Sequence, residues 1–307
     1  MLVSMKELLE RASKENYGVV APNLMCEIDA RAYIAAAEEM NSPLILDISV
    51  AQTKDISLIG KYIAKIADES RLPIAVNLDH GGSKAKSFEE VSSEIMKAFN
   101  CGFTSVMVDR SYLSFEENIK ETAILTKLAH SLGISVEAEL GHVDSGEDYV
   151  EKAESMFTNP KQAKEFLDRT GVDCMAVAVG TAHGLYKGIP HIEFELIKEI
   201  KKEVNGLPLV VHGGSGAGYE NLQKACQVGI NKVNIGFDLV TAAVNKIKEH
   251  KFEGIDAYNI YAHVQSAEIE KMKELIECFG SKGKAWVPER KFVDAKDRLL
   301  DLFEGKA

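Results

Sequence analysis

Short apolar runs recur along the chain, and amphipathic helical stretches separate them. The runs are Gly18–Ala21, Leu44–Ile48, Ile74–Leu78, Thr104–Val108, Ser135–Leu140, Cys174–Val179, Leu207–Val211 and Lys232–Ile235. Continuous rather than alternating apolar character predicts strands covered on both faces. Between them, apolar residues return at helical spacing over Ala30–Met40, Ile56–Glu69, Phe88–Asn100, Glu116–Leu132, Pro160–Arg169, Ile192–Val204 and Tyr219–Gln227. Gly102, Gly133, Gly171, Gly206 and Gly229 each follow a predicted helix, where a left-handed residue ends the last turn. Eight strand–helix units predict an α/β fold, a (β/α)8 TIM barrel with extra C-terminal helices. An open doubly wound sheet is the rival, and it lacks a GxGxxG after the first strand. Ser4–Asn16 reads as a helix under the barrel. Residues 1–307 read as a single domain, with 287–307 as a charged helical extension suited to oligomer contact.

Composition narrows the function classes. The formal charge is −11, so nucleic acid and anionic membranes are poor partners. No run approaches the roughly 18 apolar residues of a membrane span. The start, MLVSMKELLE, has Lys6 and Glu7 where a secretory signal needs an apolar stretch. The five cysteines are widely spaced and form no CxxC, which fits a reducing cytoplasm. Cys174 lies in an apolar run and reads as core.

The chemistry sits where the strands end. In a barrel, catalytic groups come from the C-terminal ends of several strands. Those ends carry Asn23, Ser49, Asp79-His80-Gly81, Asp109, Glu137 with Glu139, His183-Gly184, His212-Gly213-Gly214-Ser215-Gly216 and Asn234. His80, His183 and His212 each precede a glycine, which leaves room beside the imidazole. Three histidine ligands with an open position are a pattern of catalytic zinc. His142 is the rival ligand, and His130, His191, His250 and His263 read as surface residues. Asp79 is placed either to orient a ligand or to act as general acid/base. Glu147 lies in a polar loop suited to moving over a substrate. Gly213-Gly214-Ser215-Gly216 can present successive backbone N–H groups to a phosphate, and Lys187 adds a cation nearby. A Schiff-base lysine is not expected, because Lys232 opens the eighth strand at the opposite rim.

These residues resemble the class II, zinc-dependent ketose-bisphosphate aldolases. The resemblance runs from about Ser4 to Ala285. It rests on LDHG at 78–81, SVMVD at 105–109, FEEN at 115–118, SVEAELG at 135–141, HGLYKG at 183–188, VHGGSG at 211–216 and FGSKGKA at 279–285. It implies a lyase that cleaves fructose- or tagatose-1,6-bisphosphate, or a related ketose 1-phosphate, to dihydroxyacetone phosphate and an aldehyde. By motif, His80, His183 and His212 resemble the zinc ligands, and Asp109 and Glu139 the holders of a second or displaced metal. Asp79 resembles the acid/base at the C4 oxygen, and Glu147 the one at the dihydroxyacetone phosphate carbon. Gly184, Gly213, Ser215 and Asn234 match the dihydroxyacetone phosphate site, and Lys187, Gly214, Ile235, Gly236 and Phe237 beside them are further substrate-binding candidates. Asn23 and Ser49 match its distal end. A sodium or potassium ion near the phosphate, a homodimer or homotetramer and a cytoplasmic location are implied as well.

Two departures stand out. The family pattern N-x-x-T-[DE] reads Asn234-Ile235-Gly236-Phe237-Asp238 here, so Phe237 replaces a phosphate-binding threonine. The family's Asp-Pro-Arg, whose arginine grips the far phosphate, has Asp256-Ala257-Tyr258 as its nearest counterpart. Lys282, Lys284, Arg290 and Lys291 are the cations left to replace that arginine from a neighbouring subunit. A catalytically silent barrel with a binding or regulatory role is the alternative. An amidohydrolase-like zinc hydrolase is disfavoured, since no HxH ends the first strand.

Overall fold

The computed structural model describes residues 1–49, 53, 56–81, 86–141, 157–184 and 186–288. Its eight strands are β1 (Val19–Pro22), β2 (Leu44–Ser49), β3 (Ile74–Asp79), β4 (Ser105–Val108), β5 (Ser135–Leu140), β6 (Cys174–Val177), β7 (Leu209–Val211) and β8 (Ile230–Ile235). They form one sheet in the order β1-β8-β7-β6-β5-β4-β3-β2, and every named strand pair is parallel. The two edges meet at the bridge Asn23↔Asp47, beside which the Leu24 N–H donates to the Asp47 carbonyl at 3.1 Å. The sheet is therefore a nearly closed barrel.

The helices are α1 (Met5–Glu15), α2 (Glu27–Met40), α3 (Ile56–Glu69), α4 (Phe88–Asn100), α5 (Phe115–Ser131), α6 (Pro160–Thr170), α7 (Phe194–Glu203), α8 (Tyr219–Val228), α9 (Phe237–Glu249) and α10 (Ile260–Phe279). Local sequence sets their ends. Ser87 with Glu90 and Ser114 with Glu117 form reciprocal capping boxes that start α4 and α5. Asn159 and Pro160 start α6, and Gly171 at φ 69° ends it. A 3-10 turn, Gly254–Asn259, joins α9 to α10. The expected helical tail over 287–307 lies, from residue 289 onward, outside the described residues.

The strands alternate more than their apolar look predicts. Leu44, Leu46, Ile48, Ile74, Val76, Leu78, Val136, Ala138 and Leu140 belong to the core shared with the surrounding helices. Their neighbours point into the barrel. At its foot, Val19, Ala21, Ile45, Ala75, Met107, Cys174, Ala176 and Val210 pack with Met5, Leu8, Leu9 and Ala12 of α1. The apolar face of α1 thus closes the barrel from below, as expected. Higher up the interior turns polar, with Asp47, Asn77, Glu137 and Lys232 all fully buried. That layer supports the rim above it.

Candidate active site

Asp79, His80, His183 and His212 converge on one cavity of about 230 Å³ at the C-terminal rim. Asn23, Ser49, Gly184, Gly213, Ser215 and Asn234 line it too, with Gly236 and Phe237 at the start of α9. Ring centroids lie 5.1 Å apart for His80 and His183, 4.7 Å for His80 and His212, and 5.6 Å for His183 and His212. One ligand atom from each falls within 4.8 Å of the others, so the three can hold one metal ion. His80, Asp109 and Glu139 form a second such group that shares His80.

Two backbone features build this convergence. His80 sits at φ 49°, in the left-handed region that a residue with a Cβ seldom occupies. Gly213 has φ 68°, and a Cβ there would lie 2.1 Å from the Ala182 carbonyl oxygen. Only glycine lets the β7 loop approach the segment before His183 so closely. Tyr186 fastens the same approach. Its hydroxyl donates to the Gly213 carbonyl at 2.7 Å and accepts from the Ala182 N–H at 2.7 Å.

Charged and polar neighbours orient the site. Asp79 is buried; its Oδ2 accepts from Asn23 Nδ2 at 2.7 Å and its Oδ1 from Asn234 Nδ2 at 3.3 Å. Burial would raise its pKa, but the charges on His80 and Lys232 hold it below the usual carboxylate value, so it is ionised at neutral pH. His80 Nδ1 contacts Asp109 Oδ2 at 3.1 Å, and the Ser111 hydroxyl and N–H both donate to Asp109 Oδ1. Burial opposes a proton on His80, yet Asp79 and Asp109 outweigh it and push the imidazole up to about 10 without a metal. His212 is wholly buried, and burial drives its pKa well below the usual value. It is therefore neutral. Glu137 Oε1 lies 2.8 Å from His212 Nε2 and must accept from it, which leaves Nδ1 with the lone pair.

One sequence expectation needs correction. Lys232 does not open β8 at the far rim. The strand starts at Ile230, and Lys232 points into the barrel with no exposure, 2.8 Å from Glu137 Oε2 and 3.1 Å from Asp47 Oδ2. Burial favours the neutral amine, but Asp47, Glu137 and Asp79 outweigh it and raise its pKa, so it remains an ammonium and no Schiff-base nucleophile. Ile235, Lys187 and Gly214 are not among the cavity-lining residues. Ile235 is buried, Lys187 is exposed, and the Gly214 N–H already donates to the Asn234 carbonyl at 3.1 Å. Ser215 Oγ accepts from the N–H groups of Gly236 and Asp238 at 3.2 and 3.3 Å, which ties the β7 loop to the start of α9. Lys282 pairs with Glu277 and Lys284 with Glu15. His250 and His263 are half-buried and face one another rather than solvent alone. Glu147, His142, Arg290 and Lys291 lie outside the described residues. Glu137 and Tyr186 had no assigned role in the sequence. The SVEAELG motif carried Glu137, but nothing local showed which way it faced.

The family model for class-II fructose-bisphosphate aldolase matches residues 3–284. The chain belongs to the class II fructose-bisphosphate aldolase family. It is accordingly an enzyme of the carbon–carbon lyase type. It is 37% identical to the fructose-bisphosphate aldolase of Thermus caldophilus, across 93% of this chain and 100% of that protein. It is 36% identical to the sulfofructosephosphate aldolase of Alkalicoccus urumqiensis, across 92% of this chain and 98% of the other. Among solved structures, the YdjI aldolase from Escherichia coli K12 superposes with a TM-score of 0.81 at 32% identity, covering 93% of this chain and 100% of that one. The barrel and the strand-end motifs thus belong together. Among the described residues, no helix is long and apolar enough to cross a membrane.

Proposed function

We propose that the enzyme performs zinc-dependent retro-aldol cleavage, and the reverse condensation, of a phosphorylated ketose. The substrate is fructose- or tagatose-1,6-bisphosphate or a related ketose 1-phosphate; the products are dihydroxyacetone phosphate and an aldehyde. The observation that carries this reading is the meeting of His80, His183 and His212 beside Asp79 in one cavity. Three imidazoles with an open position suit zinc better than magnesium or calcium, which favour oxygen donors. Zinc held by His80, His183 and His212 would act as a Lewis acid, polarising the ketose carbonyl and offsetting the negative charge that cleavage leaves on the substrate.

The chain's own residues handle protons and positioning. Asp79 takes the C4 hydroxyl proton, and it is suited to this because its neighbours keep it ionised. Asn23 and Asn234 hold its two oxygens in place. Glu147 returns a proton to the dihydroxyacetone phosphate carbon. Gly184, Gly213 and Ser215 receive the first phosphate, with Lys187 reaching it from outside and a sodium or potassium ion beside it. Asp109 and Glu139 hold a displaced metal. The same reading takes 1–307 as one domain of a cytoplasmic homodimer or homotetramer.

Sequence identity does not choose the sugar, because relatives named for different substrates match almost equally well. The test separates the two acids. Asp79→Ala should lose cleavage by at least about 10²-fold, while exchange of the dihydroxyacetone phosphate carbon proton with solvent continues. Glu147→Gln should suppress that exchange. If Asp79→Ala stops the exchange and Glu147→Gln spares it, the two roles are reversed.

A further inference from the structure

Away from the cavity, His250, Asp256 and His263 form a third group whose ligand atoms all lie within 4.8 Å of one another. His250 follows the last turn of α9, Asp256 lies in the 3-10 turn, and His263 lies in the first turn of α10. The 13 residues of α9 put roughly 20 Å of helix between the cavity-lining Phe237 and His250. The group is therefore separate from the aldolase site.

We propose that His250, Asp256 and His263 bind a second divalent transition-metal ion, of the zinc or cobalt kind, that fastens the α9–α10 turn. His250 Nε2 lies 2.6 Å from Asp256 Oδ2. Asn259 Nδ2 donates to the other oxygen, Oδ1, at 2.8 Å, which fixes the carboxylate and leaves Oδ2 facing the imidazoles. The His250 and His263 rings lie 4.0 Å apart at a tilt of 34°. Phe252 packs edge-on against both, with centroids at 4.5 and 5.3 Å. The rings are thus held on one side of Asp256 before any ion arrives. Two imidazoles and one carboxylate select late first-row divalent ions over magnesium or calcium. Rotations of about an ångström bring such donors to bonds of roughly 2.0–2.2 Å. On binding, the ion takes the place of the proton shared between His250 Nε2 and Asp256 Oδ2; a neutral ring keeps that proton by moving it to Nδ1, and a doubly protonated ring releases it to solvent.

The turn gains from such a link. Gly254–Asn259 has no buried residue, so apolar packing contributes little to its shape. It nevertheless presents Ile255 and Tyr258, which are 85% and 87% exposed. An ion would add a link between the end of α9, the exposed 3-10 turn and the start of α10.

The test counts metal in the full-length protein. After chelation and dialysis against Zn²⁺ alone, and separately Co²⁺ alone, the chain should retain two ions. His263→Ala and Asp256→Asn should each retain one, with cleavage activity kept. His80→Ala should also retain one but lose activity. Zn²⁺ should slow tryptic cleavage after Lys251 by tenfold or more in the wild type and in His80→Ala, but not in His263→Ala. A wild-type chain holding one ion, or a His263→Ala chain still holding two, overturns the proposal without touching the aldolase reading.

Discussion

Glu137→Gln tests how the buried layer supports the rim. Glu137 is fully buried and accepts from two donors at 2.8 Å, His212 Nε2 through Oε1 and Lys232 Nζ through Oε2. Glutamine fills the same volume but replaces one acceptor with a donor. If its oxygen stays toward His212, its NH₂ faces the Lys232 ammonium. If it turns over, its NH₂ donates to His212 Nε2, and the histidine proton moves to Nδ1, the nitrogen needed for metal. Either outcome loses one charge-assisted hydrogen bond, worth about 1.5–3 kcal/mol. Lys232 retains Asp47 at 3.1 Å, so the penalty stays below that of a wholly unpaired buried charge. The metal-free variant should therefore unfold about 2 kcal/mol more easily in urea. Zinc affinity, read by competition with a coloured chelator, should fall roughly 10- to 100-fold. Adding Lys232→Met should cost further stability, because buried Asp47 then loses its cation, and should not restore zinc affinity. A variant with native stability and zinc affinity within twofold would refute the orienting role of Glu137.

Two further outcomes follow from other parts of the molecule. Lys282 and Lys284 are engaged by Glu277 and Glu15, and the far-phosphate arginine has no counterpart at Asp256-Ala257-Tyr258, so kcat/KM for a ketose 1-phosphate should approach that of the matched 1,6-bisphosphate. Loss of one such contact is worth about tenfold to a hundredfold, and a preference of roughly 10³ or more for the bisphosphate would reveal a clamp elsewhere. Glu268 is buried near Asp29, and burial pushes its carboxyl up to about 8. The folded chain then keeps a proton that the unfolded chain releases above about pH 4.5, so stability falls as pH rises through this window. Glu268→Gln should remove that fall and gain roughly 3–4 kcal/mol at pH 8 relative to pH 5, in urea unfolding at the two pH values; an unchanged slope would exclude Glu268 as its source.

Local chemistry was enough to read most of the architecture from the chain. Ser135–Leu140, Ile56–Glu69 and Phe88–Asn100 fall where their apolar spacing and caps place them, because helix starts and strand runs depend on near neighbours. His80, His183, His212 and Asp79 were legible for a similar reason, since a strand end delivers its next side chain to the rim whatever the rest of the barrel does. The barrel interior was not legible. Lys232 looked like the first residue of a strand, and its place in the middle of the barrel depends on the stagger that pairs Val19 with Lys232 and Val210 with Lys232. Such register joins residues far apart in sequence, so no local pattern encodes it. The same stagger sets Glu137 between Lys232 and His212 and so decides which nitrogen of His212 faces the metal position. Tyr186 bridging Ala182 and Gly213, and His250 stacked on His263, also arise only when separate segments pack. The sequence by itself determined the elements, their order and the histidines at the rim. Only closure of the barrel decided which buried charges meet beneath them, because those energies exist only between groups that the fold brings together.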